Sequence, residues 1–484
     1  MQDPRTATAH QTHARKRPRE TSTDGNTSAN GPRADDQTSS APLSSRYRLL
    51  VCGCNLHGQL SHDPAHAIRV PDGEDAGDGL FSTVERPAVV AGGGESLRVL
   101  YVGAHSICVE RDGTVYLRGL LPTLAPGTAN PSGARDLPLP LPPGIHADDI
   151  VKAFGTQWSF VGVILRDGSV FTFSLPHWSL ARFEFPDGND IYKYISDIQI
   201  NGLGQLCILS SDAYSVDANS VITIYPPLPS LVDGLYDSTL TSLAGTTPLS
   251  RFRLDTSTLH DAFTAVAATA TGFVALIARG QVHTFGDGRY NSLGRPISST
   301  ISSATTTAES NGAGWGLVAA LDGVRVQSIV AHPAGHMQLA LSSDGTAYLW
   351  GGDGTENIQP TNSDTHTPDL EEEEVTMLDI TDRKGDPLDF QLAAVGNDHI
   401  ILTSTGSILN NTSPKSTVWA AGGADMAQTG FGTRYRCLPT ALGIDEELKK
   451  VESRWQEWDV DIGGRVLQVV CGFGCTLLVI DGGG

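Results

Sequence analysis

The sequence predicts an all-β chain, a seven-bladed β-propeller closed by N- and C-terminal strands in one blade, and three observations carry that expectation. A short apolar unit recurs along the chain, tight-turn dipeptides punctuate its copies, and the two ends read as complementary halves of one more copy. A repeat of this size cannot bury both its faces alone, so its copies must stack. Split ends that complete one unit favour a closed ring over an open stack, because closure removes exposed strand edges.

The copies justify this in order. Val99 opens V-L-Y-V-G-A-H-S-I-C-V-E-R-D-G-T-V-Y-L-R-G, and Val151 opens V-K-A-F-G-T-Q-W-S-F-V-G-V-I-L-R-D-G-S-V-F-T-F. Weaker copies start near Ile195 and at Val266; Val326 and Leu392 open two more. The last, Val466 to Gly482, supplies a first half, and Tyr47 to Leu60 reads as its continuation, making seven copies. Each is apolar strand, glycine, apolar strand, tight turn, strand, glycine. Asp112-Gly113, Asp167-Gly168, Asp344-Gly345 and Asp481-Gly482 are hairpin signals, since glycine accepts the positive φ such turns need. The Ile195 copy lacks that dipeptide, and Arg279-Gly280 stands in its place in the Val266 copy.

Gly53-Cys54-Asn55-Leu56-His57-Gly58-Gln59-Leu60 resembles the G-x-N-x-x-G-Q-L signature of the regulator of chromosome condensation family of seven-bladed propellers. The glycine-to-histidine steps Gly103-Ala104-His105 and Gly396-Asn397-Asp398-His399 fit the same family. On this resemblance Gly53, Asn55, Gly58, Gln59, Leu60, Gly103, His105, Gly396 and His399 are structural repeat residues. The family slot at Gly286-Asp287-Gly288-Arg289-Tyr290-Asn291-Ser292-Leu293-Gly294-Arg295 carries two arginines and a tyrosine in place of small polar residues. That variant is most similar to the alpha-tubulin-suppressor, or killer-toxin-insensitivity, branch. Arginine and tyrosine are enriched at binding hot spots, which makes Asp287, Arg289, Tyr290 and Arg295 candidate partner-binding residues; an ion pair within the loop or between blades is the competing expectation.

The resemblance implies two functions. One is a non-enzymatic adaptor that binds a small zinc-carrying protein and supports tRNA wobble-uridine modification by Elongator and diphthamide synthesis. The alternative is guanine-nucleotide exchange on, or regulation of, a small GTPase. No G-x-S-x-G elbow, Walker loop or H-E-x-x-H occurs, so no enzyme and no cofactor is expected. His105, His336 and His399 are expected to bond neighbouring backbone rather than act as bases.

The chain has 484 residues, 39% of them apolar, with 53 glycines and 27 prolines, which suits many turns and short strands. A net charge of -21 repels phosphate backbones and favours protein partners with a basic surface over direct nucleic-acid binding. A monomer or heterodimer, cytoplasmic or nuclear, is expected. No apolar run approaches the length of a membrane-spanning helix, and seven cysteines suit a reducing compartment.

Residues 1–45 read as a disordered polar tail and 46–484 as the propeller. The basic cluster Arg15-Lys16-Arg17-Pro18-Arg19 is either a nuclear-import signal or simply solvated. Rim insertions are expected near 120–149, 297–323, 353–388, with its acidic run Glu371 to Glu374, and 441–462. Within the last, Ile444, Leu448, Val451, Trp455 and Trp458 trace one face of a helix, packed on the propeller or offered to a partner. Alternation puts Cys52 and Cys54 on one side and Cys471 and Cys475 on one side, all in the closing blade. Their spacings lack C-x-x-C pairs, so buried thiols are expected and no metal.

Overall fold

The computed structural model describes residues 46–54, 60, 68–69, 82–119, 136–174, 178–185, 194–211, 220–228, 242–243, 245–253, 262–295, 314–352, 375–382, 384–405, 416–422, 455–458 and 462–482. They form seven antiparallel sheets, six of four strands and one of five. We number these blades along the chain by their innermost strands: Leu97–Val102 (blade 1), Ile150–Gly155 (blade 2), Tyr194–Ile200 (blade 3), Phe263–Ala268 (blade 4), Val326–Ala331 (blade 5), Phe390–Val395 (blade 6) and Arg465–Gly472 (blade 7). All seven coincide with the copies read from the sequence.

One irregularity repeats in every blade. The inner strand shifts register against the second strand between Val99/Tyr101, Ile150/Lys152, Ile195/Asp197, Phe263/Ala265, Val326/Ser328, Phe390/Leu392 and Val466/Gln468. Each shift is a one-residue bulge, and in blades 2 to 7 the skipped residue is exposed, whereas Leu100 of blade 1 is half-buried against the cluster between blades 1 and 2. Val151 and Leu467 are skipped residues, which is why they are 47% and 40% exposed although each lies in an apolar strand. The residue before each bulge (Val99, Ile150, Ile195, Phe263, Val326, Phe390, Val466) is buried.

Seven apolar clusters hold the seven sheets together, and each lies between two consecutive blades. Between blades 4 and 5, for example, Val274, Leu276 and Val282 meet Val326, Ile329, Ala340 and Trp350. The cluster of Leu50, Cys52, Ile401, Val418, Val469 and Leu478 joins blade 6 to blade 7, and that of Leu49, Val51, Val99, Ile107, Leu477 and Val479 joins blade 7 to blade 1. The ring is thereby closed. Each aliphatic side chain fully buried this way contributes about 1.5–3 kcal/mol, so the interfaces dominate stability.

Blade 7 is built from both ends of the chain. Its second strand, Cys475–Asp481, pairs antiparallel with Tyr47–Cys54 from Tyr47↔Asp481 to Gly53↔Cys475, and Ser82–Gly93 and Ile68–Arg69 continue outward. Asp481-Gly482 is therefore not a hairpin turn: Asp481 pairs with both Tyr47 and Arg465, and the Gly482 N–H donates to the Arg46 carbonyl at 2.8 Å.

The cysteine geometry corrects the alternation argument. Cys471 faces blade 6 with Cys52, whereas Cys475 faces blade 1. Even spacing places residues on one side only along a single strand. Here a hairpin intervenes, and its register pairs Cys471 with Thr476 and Cys475 with Gly472. Burial pushes the Cys52 and Cys475 thiols up, so both are protonated at neutral pH.

The outermost strands come from segments that the sequence places in rim insertions: Leu137–Pro138, Gly316–Leu317, Thr376–Leu378 and Gln456–Glu457. The last corrects the helix expected from Ile444 to Trp458. Ile444, Leu448 and Val451 lie outside the described residues, but Gln456–Glu457 is a strand paired with Trp419 and Ala420. A step of three puts two side chains on one face of a helix and on opposite faces of a strand. Accordingly Trp455 packs on the cluster between blades 5 and 6, and Trp458 on that between blades 6 and 7.

Candidate partner-binding face

Two sets of loops share one end of the ring. The inner turns join the first strand of each blade to the second, and the outer loops leave the end of the third strand. At the root of the blade 4 outer loop, Gly286 has φ +130°, and a Cβ there would lie 2.6 Å from the Thr271 carbonyl oxygen. Only glycine fits that approach. Gly53, the first residue of the resembling motif, is its counterpart in blade 7, with φ +110° and a Cβ position 2.3 Å from the Gly474 carbonyl oxygen. The two loops also share an anchor seven residues on, where Leu60 and Leu293 are both buried.

The blade 4 loop is held down along its length. The Ser292 hydroxyl donates to the Asp287 carbonyl, the Gln338 side-chain amide of blade 5 donates to the Ser292 carbonyl, and the Gly352 N–H donates to the Tyr290 carbonyl at 2.9 Å. Arg289–Asn291 forms a short 3-10 turn in which Tyr290 and Asn291 take left-handed angles, φ 62° and 51°. That conformation costs a tyrosine about 1–2 kcal/mol and persists only where its surroundings enforce it. Its result is an exposed Tyr290 ring lying 4.4 Å from the His336 ring of blade 5.

The four sequence-predicted binding residues thus part company. Tyr290 points outward; Arg295 turns inward, its Nη2 donating to the Gly314 carbonyl at 2.7 Å and its Nε to Thr284 Oγ1 at 3.3 Å. Asp287 is half-buried at the loop root. The side chain of Arg289 lies outside the described residues, as do Asn55, Gly58 and Gln59 of the repeat motif.

The inner turns converge on the ring axis. Blades 1 and 2 are joined by Ala104 N–H to Gln157 O and His105 N–H to Trp158 O, both 2.9 Å, and blades 4 and 5 by Ala270 N–H to Gly335 O at 2.8 Å. In the amide orientation that satisfies both its ends, Gln157 of blade 2 donates to the Pro333 carbonyl of blade 5 at 3.3 Å and accepts from Trp158 Nε1 at 3.0 Å. Trp158 lies between His105 and Phe473, with ring centroids 5.3 and 5.6 Å apart. These contacts bring together blades that are not neighbours in the ring.

Repeat residues Gly103 and Gly396 sit at the starts of inner turns, where a Cβ would strike the Tyr101 hydroxyl and the His399 ring. His399 is fully buried, and its Nε2 lies 3.1 Å from the Thr476 hydroxyl of blade 7. Its ring thus faces side chains, Thr476 of the next blade and the Asp398 carboxylate 3.4 Å from its Nδ1, and not the backbone expected from sequence. His332, also buried, accepts the Ala334 N–H at its Nδ1. Burial first, and positive charge on His399 second, push its imidazole down to about 3, so it is neutral at physiological pH.

Sequence reasoning missed Trp158, Phe473 and Gln157. They occupy the two to four positions between the inner-strand glycine and the second strand, a slot that was legible, but nothing in a linear pattern says that slots from blades 7, 1 and 2 meet.

No family model and no curated protein matches the chain. Among solved structures it is similar to human WBSCR16, at 14% identity and TM-score 0.54 over 90% of this chain and 99% of that one. It is also similar to Prp20p of Saccharomyces cerevisiae, reported with its binding properties to Gsp1p and histones, at 12% identity and TM-score 0.52 over 90% and 92% of the two chains. The same yeast protein bound to Kap60 gives 13% identity and TM-score 0.52, over 90% and 89%. What the chain shares with these proteins is their fold, that of the RCC1-type seven-bladed propeller.

Proposed function

We propose that this chain is a non-enzymatic protein-interaction propeller, an adaptor or regulator that engages its partner through the face bearing the outer loops and inner turns. The observation that carries this reading is the blade 4 loop, in which a strained backbone, clamped to blade 5, holds Tyr290 out to solvent beside His336. Backbone strain that the fold maintains in order to expose an aromatic side chain suits recognition. Asp287, Arg289 and Arg295 complete the proposed contact region, Arg295 by fixing the loop. The charge of -21 favours a partner with a basic surface.

The finer reading is adaptor work for tRNA wobble-uridine modification and diphthamide synthesis through a small zinc-carrying protein, and it rests on the loop's resemblance. Guanine-nucleotide exchange is the second reading, favoured by the structural likeness to Prp20p, whose binding to Gsp1p is reported. A paired experiment tests both. Partners captured from native extract by the intact chain and by Tyr290→Ala are compared by mass spectrometry, and release of labelled GDP from a small GTPase is measured with each. Loss of a zinc protein and Elongator subunits with the variant supports the adaptor, and accelerated GDP release by the intact chain supports exchange. A partner set unchanged by Tyr290→Ala removes the loop from the proposal.

A further inference from the structure

The outermost strand of blade 3 differs from its six counterparts. Ser250–Arg253 pairs with Ser220–Tyr225 on one side and, among the described residues, ends its sheet on the other. Its sequence, S-R-F-R, sets two arginines two residues apart. Of the other outermost strands, Leu137–Pro138 has a proline and so lacks an amide donor, Gly316–Leu317, Thr376–Leu378 and Gln456–Glu457 carry no cation, and Ser179–Arg182 and Ile68–Arg69 carry one each.

Alternation sorts the side chains of this strand onto two faces. Phe252 turns toward blade 4, where it packs on the cluster between blades 3 and 4 and stacks on Trp315, with ring centroids 5.3 Å and planes 11° apart. Both rings are half-buried. Arg251 and Arg253 take the opposite face, opposite Thr223 and Val221 of the next strand inward, which are buried. The two arginines are exposed, and neither guanidinium makes a hydrogen bond or ion pair with a described residue. Elsewhere arginines are engaged: Arg98 by Glu110, Arg111 and Arg118 by Asp136, and Arg48 by the Ile462 and Gly463 carbonyls. On a chain of net charge -21, two unpaired cations on one strand edge reverse the charge locally. An edge strand also offers its outward amide and carbonyl groups to a further strand, whose residues share a face with those directly opposite, Cβ to Cβ about 5 Å.

We propose that the edge of Ser250–Arg253 is a docking site for an extended acidic segment of a protein partner, which adds to the four strands of blade 3. Register dictates the pattern of that segment. Two carboxylates two residues apart lie opposite Arg251 and Arg253, and the residue between them, on the face of Phe252 and Trp315, is apolar. Main-chain hydrogen bonds supply affinity, and the alternation of acid, apolar residue and acid supplies specificity. This surface goes beyond the proposed function, since it takes a segment of opposite charge on a different blade.

The test uses the full chain at low ionic strength and a fluorescein-labelled peptide of alternating glutamate and valine, compared with a peptide of the same composition whose glutamates and valines form two separate blocks. The alternating peptide should bind about fivefold or more tighter, because only it can place every carboxylate on one face of an added strand. Arg251→Gln and Arg253→Gln should each weaken its binding about two- to fivefold, and the double variant about five- to twentyfold, the size of exposed ion pairs. Arg182→Gln, an exposed arginine on the outermost strand of blade 2, should change it by less than about twofold. Of two alternating peptides, one N-methylated at the glutamates and one at the valines, one should lose about tenfold, since added strands use the amides of one set only. Equal binding of the alternating and block peptides, losses for Arg182→Gln equal to those for Arg251→Gln, or full binding of both methylated peptides overturns the site. If the arginine variants bind the peptide normally while Tyr290→Ala still loses its partner, this inference falls and the proposed function stands.

Discussion

Blades 2 and 4 have the same frame and opposite outer loops. Both are four-stranded, both carry the inner-strand bulge, and both bury apolar clusters on each side. Blade 4 leaves its third strand through Gly286 into a loop that leans forward onto blade 5. In blade 2 the corresponding position is Ser174, paired with Ser179, and the connection leans back: Trp178 Nε1 donates to the Pro138 carbonyl of blade 1 at 3.3 Å. Since ring closure requires only the sheet faces, a blade can differ at its outer loop without harm to the core. What a blade keeps beyond its strands is free to serve binding.

The comparison can be broken at the loop root. Gly286→Ala should destabilise by about 3 kcal/mol or more, since it adds left-handed strain to a backbone collision. Ser174→Ala should stay within about 0.5 kcal/mol, because it removes a buried hydroxyl that has no hydrogen-bond partner among the described residues. Chemical denaturation of both variants would show it, and equal effects would mean that the two roots are not distinct. One step out, Leu293→Ala should cost about 2–4 kcal/mol, the range for a buried leucine, and should also loosen the grip of the loop on blade 5.

Acid stability sharpens the contrast from the side of blade 5, where the loop docks. The unfolded chain protonates His332 near 6.5, whereas the folded chain resists protonation until about 3. Across that window the unfolded state binds more protons, so stability falls as pH falls. His332→Asn, which keeps an acceptor for the Ala334 N–H, should flatten the stability profile by close to one proton between these limits; an unchanged slope would refute the assignment. The smallest effect belongs to the loop tip. Tyr290→Ala should shift stability by less than about 0.5 kcal/mol, since the ring is exposed, and a larger loss would make Tyr290 a structural residue.

The fold was legible because a propeller repeats its information. Strand, glycine, strand and turn recur often enough that erosion in the Ile195 copy does not hide the period, and the G-x-x-x-x-x-x-L spacing of Gly53–Leu60 and Gly286–Leu293 finds the same slot in two distant blades. The errors arose where a local pattern admitted two geometries. Trp455 and Trp458, three residues apart, suit one helix face or two strand faces, and only pairing with Trp419 and Ala420 chooses between them.

By itself, then, the sequence determined the number of blades, their order and the joining of both ends in one sheet, since periodicity and turn chemistry are local properties of the chain. Tertiary structure decided which side chains meet across the axis. Phe473, Trp158 and His105 come from blades 7, 2 and 1, and their approach depends on ring curvature and inner-turn packing. Those are properties of the closed ring and of no single copy, which is why this cluster of rings could not be read one repeat at a time.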